Sequence, residues 1–140
     1  MPQRDIIVIG GSAGSFQPLK HIIEGLPASF PAAVLVVIHM MPDFPSLLDE
    51  HLGANSHLPV TQAADEEPIR RGQIYIARPD YHLTVEPGKM CVQRGPRENR
   101  HRPAIDPLFR TAARVYGPRV IGVVLSGQHD DGSMGLYAVK

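Results

Sequence analysis

The chain has 140 residues, 43% of them apolar, with 14 basic and 14 acidic side chains and a formal net charge of zero. The length fits one domain with a real core, and the balanced charge gives no overall pull toward nucleic acid or an anionic membrane. A single cysteine, Cys91, excludes an intramolecular disulfide framework and suits a reducing compartment, the cytoplasm. No apolar run approaches the length of a membrane span, and the first strand begins too early to leave room for a signal peptide.

The elements alternate along the chain. Ile6 to Ile9 is an apolar run suited to a strand buried on both faces. Gly10, Gly11, Ser12, Ala13 and Gly14 then make a sharp bend, with glycines that permit unusual backbone angles and close approach. A helix is predicted over 16–26, with Leu19, Ile22, Ile23 and Leu26 at helical spacing and Pro27 closing it. Ala33 to Ile38 is a second strand. Pro45 to Leu52 reads as a helix with proline in its first turn and Gly53 just past its end. Pro59 to Thr61 and Gln73 to Ala77 are further strands. His82 to Val85 and Met90 to Gln93 flank a Glu86-Pro87-Gly88-Lys89 turn, an antiparallel hairpin. Arg94 to Arg102 is a charged loop. Asp106-Pro107 reads as a cap and first-turn proline for a helix to Tyr116. Val120 to Leu125 is a buried strand, and Gly132 opens a last helix.

This order predicts an α/β fold, doubly wound, with a mostly parallel sheet, helices on both faces and an antiparallel hairpin. Such sheets bind ligands beyond the carboxyl ends of their strands. Ser12 follows the first strand, His39 the second, and Ser126 to Gly132 the last, so these loops are predicted to open on one edge. A serine, a histidine and an aspartate meeting there suit nucleophilic catalysis. The imidazole takes the hydroxyl proton, a carboxylate fixes the imidazole tautomer, and backbone N–H groups at the bend hold the oxyanion. Gly10 to Gly14 fits the G-x-S-x-G elbow, although the order Ser, His, Asp is not that of the α/β-hydrolases. The dinucleotide fingerprint G-x-G-x-x-G fails, with serine at 12 and 15.

Four blocks then carry a family resemblance. They are Ile9-Gly10-Gly11-Ser12-Ala13-Gly14, Val37-Ile38-His39-Met40-Met41-Pro42, His101-Arg102-Pro103-Ala104-Ile105-Asp106 and Leu125-Ser126-Gly127-Gln128-His129-Asp130-Asp131-Gly132. In that order they resemble the CheB-type chemotaxis protein-glutamate methylesterase catalytic domain. The resemblance spans residues 1–140 as one such domain, incomplete at its C-terminus and without a receiver domain. It implies a catalytic triad of Ser12, His39 and Asp131 that hydrolyses methyl esters of glutamate side chains on chemotaxis receptors and also deamidates glutamine. It further implies backbone oxyanion donors at Ala13 and Gln128, cleft-lining roles for His101 and Arg102, and no cofactor or metal. The implied partners are methylated chemoreceptor cytoplasmic helices, with a receptor methyltransferase or a receiver domain on the same or another chain. Where the family pattern reads Ser-Thr-Gly-Gly, this chain has Ser12-Ala13-Gly14-Ser15. An extra residue precedes Pro42, and Gln128 stands at a usual methionine.

Two other function classes stay open: a non-catalytic receptor- or partner-binding relative of the same fold, and a nucleotide-binding domain using the Gly10–Ser15 loop. Of the adjacent acids, the resemblance favours Asp131 over Asp130, and His129 lies on the acid's own loop. His21, His51, His57 and His82 read as surface or edge histidines, and Cys91 as a half-buried strand thiol. No residue spacing suggests a metal site. Lys89, Arg94, Arg97, Arg100 and Arg102 form a basic cluster with two readings, a solvated loop or a surface receiving an acidic receptor face.

Overall fold

The computed structural model describes residues 4–39, 48–98 and 102–125. Among these, five strands form one sheet in the order β3-β4-β2-β1-β7: β1 (Ile6–Gly11), β2 (Ala33–Ile38), β3 (Val60–Gln62), β4 (Ile74–Ile76) and β7 (Val120–Leu125). Every pairing in it is parallel. β5 (His82–Glu86) and β6 (Lys89–Gln93) form a separate antiparallel pair, and Gly88 takes φ +78° in its tight turn. The helices are α1 (Phe16–Glu24), α2 (Leu48–Gly53) and α3 (Ile105–Tyr116).

The sheet is covered on both sides. On one face Val8, Leu35, Val37 and Tyr75 pack with Ile105, Leu108 and Phe109 of α3 and with Leu83 and Met90 of the hairpin. On the other, Ile9, Val34, Val36, Ile74 and Ile76 pack with Leu19 and Ile23 of α1 and Leu52 of α2. All six residues of β2 are buried, as a central parallel strand requires. β7 is the outer strand of the described sheet, and Ile121 on it is exposed.

Several local expectations change. α1 ends at Glu24, with Gly25 as its cap. The predicted 45–52 helix is described only from α2 onward; Pro45 lies outside the described residues, as does the helix predicted from Gly132. α3 starts one residue before Asp106, with Ala104 as its N-cap and no side-chain cap. The reason is packing: Ile105 is fully buried against β1, which draws the first turn inward and buries Asp106 with it. Pro107 still falls in the first turn, where its missing N–H costs nothing.

Gly10 and Gly11 are needed for close approach and not for unusual angles, since neither has a positive φ. A Cβ on Gly10 would meet Ile105 side-chain carbons, two of them at 2.8 and 2.9 Å. A Cβ on Gly11 would lie 2.7 Å from the Ser15 Oγ and 2.8 Å from the Leu125 carbonyl oxygen. One glycine admits the start of α3 on one face of the sheet, and the other admits the turn before α1 on the opposite face.

Candidate active site

The site forms where β1, β2 and β7 end together. Gly11 is in register with Ile38 on one side and Leu125 on the other. The backbone N–H of His39 donates to the Gly11 carbonyl at 2.9 Å. Ser12 and His39 are therefore the first residues beyond two adjacent parallel strands, whose axes lie about 4.8 Å apart. Both are buried, at 4% and 6% exposure.

A single 3-10 turn, Ala13–Ser15, joins β1 to α1 and is closed by the Ser15 N–H donating to the Ser12 carbonyl at 2.9 Å. Ser12 itself is extended, at φ −82° and ψ 173°, so the chain turns immediately after the nucleophile candidate. Three residues per turn brings side chains i and i+3 into line. The Ser15 Oγ accordingly stands 3.5 Å from the Ser12 Oγ, and Ser15 donates to the Leu125 carbonyl at 2.6 Å. Ser15 was not a candidate on sequence grounds; its spacing of three from Ser12 across a turn was the available signal.

Asp131, Gln128, Asp130, His129, Ser126 and His101 lie outside the described residues, as does Arg100 of the basic cluster. The described sheet does bring the end of β7, which leads into the segment carrying Gln128 and Asp131, beside Ser12.

Arg102 is described. It donates to Asp80 through Nε at 2.9 Å and Nη2 at 2.6 Å, and to the Gly95 carbonyl at 3.2 Å. Arg94 also pairs with Asp80, at 2.8 Å. The Arg102 hydrogen bond holds the Asp80 carboxyl below the usual carboxylate range. Lys89 pairs with Glu66 and Glu86. Much of the basic cluster is thus matched to carboxylates; Arg97 is exposed.

His82 is the main correction among the histidines. It is buried at 7% exposure, whereas His21, His51 and His57 are exposed. Its Nε2–H donates to the Pro96 carbonyl at 2.7 Å, and its Nδ1 accepts from the Ala104 N–H at 3.3 Å. His82 thus bonds the backbone on both sides of residues 99–101, at Pro96 and at Ala104. Cys91 is buried rather than half-buried. Burial, with nearby carboxylates, pushes its thiol pKa up, so it stays protonated and a poor ligand. The ligand atoms of Cys91, Asp65 and Glu66 lie within 4.8 Å of one another. The Asp65 carboxylate already accepts from the Val92 N–H at 2.8 Å and Glu66 holds the Lys89 ammonium, so hydrogen bonding and an ion pair account for both.

A parallel sheet covered by helices on both faces defines an α/β protein, and it brings a buried serine and a buried histidine to adjacent strand ends. Comparison with known proteins narrows this. Residues 7–140 match the family described as CheB methylesterase. The chain is 39% identical over 145 residues to a protein-glutamate methylesterase/protein-glutamine glutaminase of Methanosarcina mazei, covering 98% of this chain and 40% of that protein. It is 39% identical over 139 residues to the enzyme of that name from Thermotoga maritima, covering 96% of this chain and 40% of the relative. The crystal structure of the Thermotoga maritima CheB methylesterase catalytic domain superposes with a TM-score of 0.90 at 37% identity, over 99% of this chain and 75% of that one. The chain belongs to the CheB methylesterase family. It spans about two-fifths of the length of these curated relatives.

Proposed function

We propose that this chain carries a serine esterase centre that removes methyl esters from glutamate side chains of chemotaxis receptors, and that it also deamidates glutamine. The reading rests on the shared strand end: the His39 N–H bonded to the Gly11 carbonyl, with Ser12 next in the chain. Ser12 attacks the ester carbonyl carbon while His39 takes its proton. Asp131 holds the imidazole tautomer and steadies the imidazolium. The backbone N–H groups of Ala13 and Gln128 receive the oxyanion. Collapse of the tetrahedral intermediate breaks the C–O bond, and His39 returns the proton to methanol. Water then attacks the acyl-serine by the same route, giving a glutamate carboxylate and free Ser12. With a glutamine substrate the first leaving group is ammonia.

The substrate is the methylated cytoplasmic helices of a receptor, and the reaction takes place in the cytoplasm without cofactor or metal. His101 and Arg102 line the cleft, Arg102 through the loop that it holds against Asp80. A receptor methyltransferase or a receiver domain is the further partner. Methanol release from methyl-esterified receptor tests the reading. Ser12→Ala and His39→Ala should each lower the rate by about 10⁴-fold or more while the chain stays folded. Equal rates in all three proteins would contradict it. A folded wild type that binds receptor but releases no methanol would favour the non-catalytic alternative.

A further inference from the structure

Ser15 is the second hydroxyl of the site, and nothing in the proposed mechanism uses it. It is fully buried at 0% exposure, in the last position of the 3-10 turn that follows Ser12. Its Oγ–H is committed to the Leu125 carbonyl at 2.6 Å, a short O–H···O bond. A serine hydroxyl has one proton and two lone pairs. With that proton on Leu125, only a lone pair faces Ser12, so across the 3.5 Å contact Ser12 is the donor.

We propose that Ser15 is a positioning residue for Ser12, holding the nucleophile's hydroxyl in one rotamer and tying the turn to the end of β7. The inference rests on the esterase reading above. A serine side chain has three staggered wells, which aim Oγ in three different directions. Ser15 biases that choice because it is itself immobile. It is enclosed, bonded to the backbone of a strand 110 positions away in sequence, and seated where Gly11 has no side chain. The length of the contact matters. At 3.5 Å the acceptor is at the limit of hydrogen bonding, so the contact favours one position of the Ser12 Oγ and leaves its proton free to turn to an imidazole. The same hydroxyl fixes the last carbonyl of β7, from which the chain leads on to Gln128 and Asp131. One side chain therefore links the nucleophile's turn to the strand that delivers the acid.

The test is the rate at which a small fluorophosphonate inactivates the chain, measured across pH beside methanol release. Ser12 displaces fluoride from phosphorus, a P–O bond replacing P–F, and the serine proton leaves through His39. Ser15→Ala and Ser15→Gly should each slow inactivation about tenfold at the plateau pH and lower kcat by a similar factor. KM and the pH midpoint should stay unchanged, because neither the cleft nor the base is altered, and thermal melts would establish that both variants are folded. Inactivation at the wild-type rate in both variants, or a change in KM alone, would overturn the positioning role and leave the esterase reading standing. A wild type that takes no label and matches Ser12→Ala in methanol release would overturn both together.

Discussion

The two ends of the parallel sheet treat buried polar groups in opposite ways. At the amino end of β1, Asp5 is almost wholly buried and receives two guanidinium groups. Arg71 donates at 3.2 and 2.7 Å, and Arg119 at 2.8 and 2.9 Å. Chiefly through its Arg119 bond, the Asp5 carboxyl sits below its ordinary value. At the carboxyl end, seven residues later, the buried Ser12 hydroxyl meets that of Ser15 at 3.5 Å, and His39 is buried at the end of the adjacent strand. One end uses charge to close the fold. The other holds the buried Ser12 hydroxyl by a neutral contact at the limit of hydrogen bonding, which leaves its proton available to a base.

This contrast can be broken from either end. The largest effect belongs to the carboxyl end: Ser12→Ala removes about 10⁴-fold in methanol release with little change in denaturant midpoint. Asp5→Asn is the mirror case. It leaves two arginines facing an uncharged amide and should cost about 2–3 kcal/mol in urea unfolding, with kcat retained in the folded fraction. The figure is at or below the low end for a broken buried pair because both arginines keep contact with water.

The pH dependence follows from the sign of the shift. The Asp5 pKa is lower folded than the ordinary 3.8. Its stabilisation is therefore fully present above about pH 4 and is lost as pH falls through the folded value. The gap between wild type and Asp5→Asn should be constant from pH 7 to 5 and close below pH 4. A gap that widened in acid would reverse the assignment.

Smaller effects sharpen the picture of what supports the site. Gly10→Ala places a methyl group into Ile105 and should cost about 2 kcal/mol, read from the melting temperature, by pushing α3 off β1. His82→Ala loses the bonds to Pro96 and Ala104 and should cost about 1–2 kcal/mol by the same measure.

The sheet was legible because Ile6 to Ile9, Ala33 to Ile38 and Val120 to Leu125 are apolar runs with no competing reading as helices. That Ser12 and His39 share an edge followed from the same topology. Local detail was less legible where long-range packing decides it. Asp106-Pro107 has the form of a helix start, but burial of Ile105 against a glycine about ninety-five positions earlier begins α3 sooner. His82 looks like an edge residue until Pro96 and Ala104, 14 and 22 positions on, bond to its ring. Ser15 is one small residue in a small-residue bend, and only the 3-10 turn places it beside Ser12. The acid of the proposed triad, Asp131, was named through family resemblance and lies outside the described residues.

The most direct measurement is peptide mapping of the fluorophosphonate adduct. Two hydroxyls stand 3.5 Å apart in this site, and only one of them is proposed as the nucleophile. The account predicts a single adduct on Ser12, absent from Ser12→Ala and strongly reduced in His39→Ala. An adduct on Ser15, or labelling of Ser12 that His39→Ala leaves unchanged, would contradict it.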